Sequence, residues 1–273
     1  IRKIVINICK NFSKVLSYSL KSSTNKLGGI LASFHKPSHY YFDVCLGLFF
    51  LYKRNLMSQV PTTYIHKGED FFSIEKLFQA PFCQVYDDSS YFRNKSQSEN
   101  EFYLRVGCSA ALQSENRSIN EEVSSMVVSA ASELIDSQTA NEVEAARKCY
   151  PLVWFGITTQ QKTWVEQVEG GAKIFTDLAK LYPKIGVVFD GWTLPLNPSN
   201  KDIAKTEEDR ALVDKILELL PQQVKTFSVV GATTVRKLAF ATTIDAFIAN
   251  YATGSIHVAR FARKPGVGHL SND

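Results

Sequence analysis

The sequence predicts an α/β protein in two domains, the C-terminal one a doubly wound parallel sheet. Three observations carry this. From residue 152 to residue 262, apolar runs of strand length alternate with helical stretches, the order that right-handed crossovers turn into a parallel sheet. The first of those runs, Leu152-Val153-Trp154-Phe155-Gly156-Ile157, is unbroken, as in a strand covered on both faces. Cys149-Tyr150-Pro151 interrupts the pattern upstream and divides the chain into domains at 1–150 and 151–273, each of ordinary domain size.

The N-terminal half is the less regular. Ile30 to Phe34 reads as a short buried strand, followed by a turn, His35-Lys36-Pro37-Ser38-His39. Residues 43–56 have the apolar density of a buried helix. Val60 to Ile65 and Phe82 to Tyr86 read as further strands, and the polar stretch Ser89 to Asn100 as a loop. Glu121 to Ala146, rich in Ala, Ser, Val and Glu, reads as one long helix.

In the C-terminal half a helix is expected from about Thr163 to Leu181, stopped by Tyr182-Pro183, then a strand from Lys184 to Phe189 ending at Asp190-Gly191-Trp192. Glu207 to Leu220 is periodic, with Leu212, Ile216, Leu219 and Leu220 on one face. Phe227 to Gly231 follows as a strand, Val235 to Thr242 as a short helix, Ala246 to Ala249 as a strand and Ser255 to Ala262 as a helix.

Composition narrows the class. A hydrophobic fraction of 45% with 21% charged residues belongs to a soluble globular protein. Five cysteines (Cys9, Cys45, Cys83, Cys108 and Cys149), odd in number and without Cys-x-x-Cys spacing, indicate neither a disulfide framework nor a zinc site, and favour a reducing compartment. The longest apolar run, Tyr40 to Tyr52, contains Asp43 and is too short to span a bilayer. The start lacks the apolar run of a signal peptide, and Ile1 in place of Met marks a fragment or a processed form. Residues 1–60 carry nine Lys/Arg against the one acid Asp43, a balance suited to phosphate, an anionic glycan or an anionic membrane surface, and equally to a solvated basic face.

Two segments carry the chemistry. Thr158-Thr159-Gln160-Gln161-Lys162-Thr163-Trp164 stands where a strand runs into a helix, and Ala252-Thr253-Gly254-Ser255-Ile256-His257-Val258 where a later strand does. Free backbone N–H groups and the positive end of the helix dipole converge at such places and hold phosphate. Thr158 and Thr159 can donate hydroxyls and Lys162 can neutralise charge; equally, the threonines can cap the helix, with Lys162 solvated and Trp164 packed on the sheet. Gly254 lets a ligand approach the backbone, while Thr253 and Ser255 offer hydroxyls. His257 is either a site residue or a satisfied structural histidine.

In these residues the C-terminal half resembles the donor-binding domain of GT-B glycosyltransferases, and within them the lipopolysaccharide heptosyltransferase family, which uses ADP-heptose. The resemblance rests on a strand followed by the paired threonines, Lys162 and Trp164. It continues through Gly231-Ala232-Thr233-Thr234-Val235-Arg236-Lys237-Leu238-Ala239, then Ala252 to Ala259, then Lys264-Pro265, in family order over about residues 151–269. It implies two Rossmann-like domains facing a cleft, and transfer of a sugar from a nucleoside-diphosphate sugar to a glycan or lipid-linked acceptor of the bacterial cell envelope. Transfer would be inverting and metal-independent, with no cofactor beyond that co-substrate. Thr158, Thr159, Lys162 and Thr233 would face the donor, with Thr253, Gly254, Ser255 and His257 at the opposite lip. Residues 1–150 would be the acceptor-side domain. There Asp43, followed by Leu46-Gly47-Leu48-Phe49-Phe50-Leu51, stands where the family has its general base; His39 or His35 could serve instead, and Asp43 also reads as a helix cap. Such an enzyme would be cytoplasmic, peripheral at the inner membrane through its basic start.

Departures from the family matter. Ala252 replaces the Asp that opens the second motif, Asp190 is the nearest candidate for an acid after the second strand, and the chain stops before the final strand and returning helix. These favour an alternative, a non-catalytic GT-B-derived module that binds a nucleotide sugar or glycan. A sugar-nucleotide epimerase of related fold is a third reading. The absence of Gly-x-Gly-x-x-Gly argues against a dehydrogenase, and no nucleic-acid-binding module is recognisable.

Overall fold

The computed structural model describes residues 12–32, 37–79, 83–86, 100–106, 117–159 and 164–270. Among these are two parallel sheets. The first contains β1 (Lys26–Ala32), β2 (Thr63–His66), β3 (Cys83–Tyr86) and β4 (Glu101–Val106) in the order β3-β2-β1-β4. The second contains β5 (Leu152–Gly156), β6 (Gly186–Asp190), β7 (Lys225–Ser228), β8 (Ala246–Asn250) and β9 (Gly266–His269) in the order β7-β6-β5-β8-β9. Both are Rossmann-like, with strand order reversing beside the first strand of each sheet, as the sequence predicts for an α/β protein of two such domains.

The helices are α1 (Phe12–Thr24), α2 (Leu46–Lys53), α3 (Ile74–Phe78), α4 (Arg117–Ser132), α5 (Ser137–Ala146), α6 (Gln167–Leu181), α7 (Asn200–Leu219) and α8 (Thr234–Ala241). A π-helical turn, Tyr40–Cys45, leads into α2, and a 3-10 turn, Ala252–Ser255, leads into π-helical Ile256–Phe261. The first replaces only the start of the helix expected over 43–56, of which α2 forms the regular part, and the second replaces the regular helix expected at 255–262.

The β5 run is buried on both faces, as its composition requires. Leu152 and Trp154 point into a core with Val143, Ala146, Phe240 and Val258; Val153 and Phe155 point into the opposite core with Phe175, Val213 and Ile216. Each such side chain contributes about 1.5–3 kcal/mol on burial. Two-sided cover is what makes this sheet doubly wound. The expected helix 121–146 is two helices: Asp136 caps α5 by accepting from Thr139 N at 2.7 Å and so breaks the run. Val123 and Val127 of α4 join the core of the first sheet, whereas Val143 and Ala146 of α5 join that of the second, so the chain passes between cores ahead of Pro151.

Three further expectations need correction. Helix α7 starts at Asn200, seven residues early, because Ser199 and Asp202 form a reciprocal capping box. Its buried face runs Asp202, Thr206, Asp209, Val213, Ile216, and Leu219 is exposed. Strands β4 and β9, unforeseen in the sequence, pair in parallel with β1 and β8.

Candidate functional site

The strand order places the topological switch point of the second sheet between the carboxyl ends of β5 and β8, the crevice where open α/β sheets take ligands. Both sequence segments end there. Thr158 and Thr159 leave β5, and Ala252–Ser255 leaves β8. Lys162 lies outside the described residues.

The threonines do not cap a helix. Helix α6 begins only at Gln167, with Glu166 ahead of it making no side-chain cap, so the turn between is longer than the pattern suggested. Instead the loop is held by two side chains. Gln167 brackets Thr158, accepting from its N–H at 3.1 Å and donating to its carbonyl at 2.9 Å. Asp209 of α7 accepts from Thr159 Oγ1 at 2.8 Å and from Trp192 N at 2.6 Å, tying the end of β5 to the end of β6. Burial raises the Asp209 carboxyl above the usual range, against the lowering effect of these bonds. Trp164 packs on the sheet, its ring 6.3 Å from that of Phe155.

Behind the crevice sits a buried ion pair. Asp190, the last residue of β6, stands with Oδ1 2.5 Å from the ammonium of Lys237 on α8, and the same ammonium donates to Gly191 O at 2.7 Å and Thr193 Oγ1 at 2.9 Å. Lys237 is fully buried, its ammonium donating two hydrogen bonds and standing at ion-pair distance from Asp190 Oδ1, which is how a lysine remains charged inside a protein. Burial nevertheless raises the Asp190 carboxyl and lowers the Lys237 ammonium, with the attraction between them opposing both.

His257 lies in the same interior. It is 2% exposed, its Nε2 has no hydrogen-bond partner, and burial with the neighbouring Lys237 charge holds its pKa well below 6.5. It is therefore neutral, and behind the surface rather than at the lip. Ser255 is also buried, Gly254 is half-buried where an added Cβ would stand 3.1 Å from Asn250 Cβ, and Thr253 is half-buried. Thr233 precedes α8 with extended backbone and no side-chain cap bond.

The carboxyl edge of the first sheet faces this region. The segment after β1 brings Ser38 Oγ within 2.9 Å of Thr253 Oγ1, and Tyr41 OH donates to Thr234 Oγ1 at 2.8 Å. The loop after β2 docks beside it: Gly68 N donates to Asn197 O, and Asn197 Nδ2 donates to Asp70 Oδ2 at 2.5 Å. Between these contacts stands a dyad. Asp43, 3% exposed, holds His39 Nδ1 at 2.7 Å, while His39 is 54% exposed. Asp43 thus stands within a helical segment, with its carboxylate directed to His39, one helical turn back.

The structure therefore gathers Ser38, His39, Asp43, Thr233 and Thr253 along facing edges, sets Thr158 and Thr159 on the other side of the switch point, and buries His257. Lys237, Asp209 and Gln167 went unrecognised in the sequence. Asp209 had a signal: it repeats at helical spacing with Asp202, Thr206, Val213 and Ile216, so a polar stripe continues an apolar one. Among the described residues no helix is long and apolar enough to cross a membrane, and no group of His, Cys, Asp and Glu is arranged to hold a metal.

No protein-family model and no curated protein matches the chain. Solved structures similar to it include a glycosyl transferase family 9 protein from Veillonella parvula DSM 2008, 14% identical over 88% of this chain and 80% of that one, with a TM-score of 0.45. They also include S. aureus MnaA in a co-structure with UDP, 11% identical over 89% of this chain and 80% of that one, with a TM-score of 0.42.

Proposed function

We propose that this protein is a glycosyltransferase that moves a sugar from a nucleoside-diphosphate sugar to a hydroxyl of a glycan or lipid-linked acceptor. The observation that carries the reading is a juxtaposition. A parallel-sheet switch point flanked by Thr158, Thr159 and Thr253-Gly254 faces a carboxylate–histidine dyad from the other sheet's carboxyl edge. In this reading the diphosphate lies at the crevice, with the threonine hydroxyls and Lys162 on its oxygens. His39, oriented by Asp43, takes the acceptor proton as the hydroxyl attacks the anomeric carbon. The nucleoside diphosphate leaves from the opposite face with the bonding electron pair, which inverts the centre. Charge stabilisation by hydroxyls, backbone N–H groups and Lys162 makes a metal unnecessary to this scheme. Contact with an anionic membrane fits as well: Phe12, Leu16 and Leu20 are exposed along α1, and residues 1–42 contain seven bases and no acid.

The test is calorimetric binding of UDP, ADP, GDP and their sugars to wild type and to Lys162→Ala. Binding that depends on Lys162 supports the donor site, and a transfer assay with His39→Ala then tests the base. Absence of binding by every nucleotide would sink the proposal. A second reading, a binding module without turnover, is favoured by one observation: Ser38–Thr253 and Tyr41–Thr234 bond directly across the facing edges where the acceptor would enter. Nucleotide binding without transfer to any acceptor would select it.

A further inference from the structure

We propose that the cavity between α4 and residues 259–264 binds a phosphomonoester, at a site separate from the switch point. The cavity measures about 480 Å³ and is lined by Asn120, Glu121, Ser124, Arg260, Arg263 and Lys264, with Ala259 at its wall. Its position is distinct. Residues 263–265 precede β9 and lie at the amino edge of the second sheet, whereas the switch point lies at the carboxyl edge. The inference therefore does not depend on the glycosyltransferase reading.

The lining is built to present positive charge. Arg260 is fixed on three sides: its Nε donates to buried Ser124 Oγ at 3.1 Å, its Nη2 donates to Asn120 Oδ1 at 2.9 Å, and its guanidinium lies 3.6 Å over the Phe42 ring. Nη1 keeps its protons without a partner among the described residues. A guanidinium held in this way loses little freedom on binding an oxyanion and can present paired N–H groups to it. Arg263 and Lys264 form no ion pair with any described residue. With Glu121 the only acid among the described residues of the lining, three cations against one carboxylate leave a net charge of +2, the complement of a phosphomonoester dianion.

Arg263 adds a second, independent argument. It sits at φ +52, in the left-handed region, where the chain turns after the π-helical segment and Lys264 N donates back to Val258 O. A residue closing a helix in this conformation is ordinarily Gly, which bears it without steric cost. Arginine meets the same backbone demand less well, and what it offers beyond glycine is a cation at the mouth of the cavity. Strain of this kind, held beside a cluster of cations, is a mark of binding sites.

The source of the phosphate is left to experiment: a soluble phosphate compound or a phosphomonoester lipid headgroup. Inorganic phosphate and glycerol phosphate are titrated calorimetrically into the full chain. In parallel, vesicles of phosphatidylcholine containing phosphatidic acid, or phosphatidylglycerol as a diester control, are co-sedimented with it. Wild type, Arg263→Gly/Lys264→Ser and Thr158→Val/Thr159→Val are compared. One-to-one binding of the soluble phosphates, weakened at least tenfold by Arg263→Gly/Lys264→Ser and kept in the threonine variant, supports the site with a soluble ligand. The same pattern confined to phosphatidic acid vesicles supports it with a lipid ligand. Because glycine suits the Arg263 backbone, thermal stability of that variant is expected to be unchanged or raised, so lost binding cannot be ascribed to misfolding. No binding in either arm overturns the proposal. So does equal retention on phosphatidylglycerol, which would show a general basic face, or binding lost only in the threonine variant, which would place the anion at the switch point.

Discussion

Protonation of His257 should destabilise the fold in a calculable way. The residue is 2% exposed, its Nε2 lacks a partner, and its pKa lies well below 6.5 through burial first and the Lys237 charge second. A histidine whose folded pKa is depressed binds fewer protons folded than unfolded. Its contribution is therefore neutral above the unfolded value of about 6.5, and stability falls as pH drops below it. With the folded pKa far lower, the loss is about 1.4 kcal/mol at pH 5.5 and about 2 kcal/mol at pH 5.0. The carboxyls of Asp70, Asp190 and Asp209 are raised by burial and act with the opposite sign: their folded forms hold protons longer as pH rises above about 3.8, so stability falls with rising pH there. Comparison with His257→Leu cancels most of that background. Urea unfolding of both proteins at pH 7.5, 6.5, 5.5 and 5.0 is the assay. At pH 7.5 the variant should lie within about 1 kcal/mol of wild type, since an unpaired polar group is exchanged for an apolar one of similar size. The difference should then move in the variant's favour by about 2 kcal/mol by pH 5.0. Parallel curves would show that His257 is paired or solvated and would refute the reasoning.

Two further substitutions probe the interior behind the crevice. Lys237→Met leaves Asp190 buried without its counter-ion and should cost about 3–5 kcal/mol in urea unfolding, while the double variant Lys237→Met/Asp190→Leu recovers most of the loss; a single-variant cost below about 1 kcal/mol would contradict full burial of the pair. Gly231→Ala should cost about 2–4 kcal/mol, because Gly231 has φ +71 and an added Cβ would stand 2.3 Å from Thr206 Cγ2; an unchanged thermal midpoint would show that the turn relaxes freely.

How much was legible follows from where the information lies. Strands β5 and β6 are visible because each residue is buried, so the run is apolar throughout β5 and up to Asp190 in β6. Strand β9, Gly-Val-Gly-His, is exposed over most of its length and is specified by pairing with β8, which leaves no mark in its composition. The start of α7 was written in Ser199 and Asp202 but was obscured because the apolar period begins only near Leu212. The carboxyl ends of β5 and β8 stood out as candidate site segments because hydroxyl and glycine residues follow apolar runs. What the sequence could not reveal is the pairing of Asp190 with Lys237 and of Asp209 with Thr159, because each bond joins different strands and helices and depends on the sheet order. For the same reason Asp43 reads as a cap or a base in sequence, and only the fold shows its carboxylate turned toward His39.

The facing edges also constrain how a ligand could enter. Leu238, Ile256 and Phe261, from the second half, belong to the core of the first sheet, and Tyr41 and Phe261 meet edge to face at 4.9 Å. Parting the halves would expose these side chains, at about 1.5–3 kcal/mol each, and break the Tyr41–Thr234 bond as well. Together these terms exceed 5 kcal/mol, so a widely open form would be populated at well below one molecule in a thousand, on the order of 10⁻⁴. A nucleotide that had to wait for that form would bind correspondingly weakly. Thr158 and Thr159, by contrast, are half-buried at the other side of the switch point and are held from within the second half by Gln167 and Asp209. The Ser38–Thr253 and Tyr41–Thr234 bonds hold the two facing edges together, and His257, 2% exposed, belongs to the interior of the fold rather than to its surface.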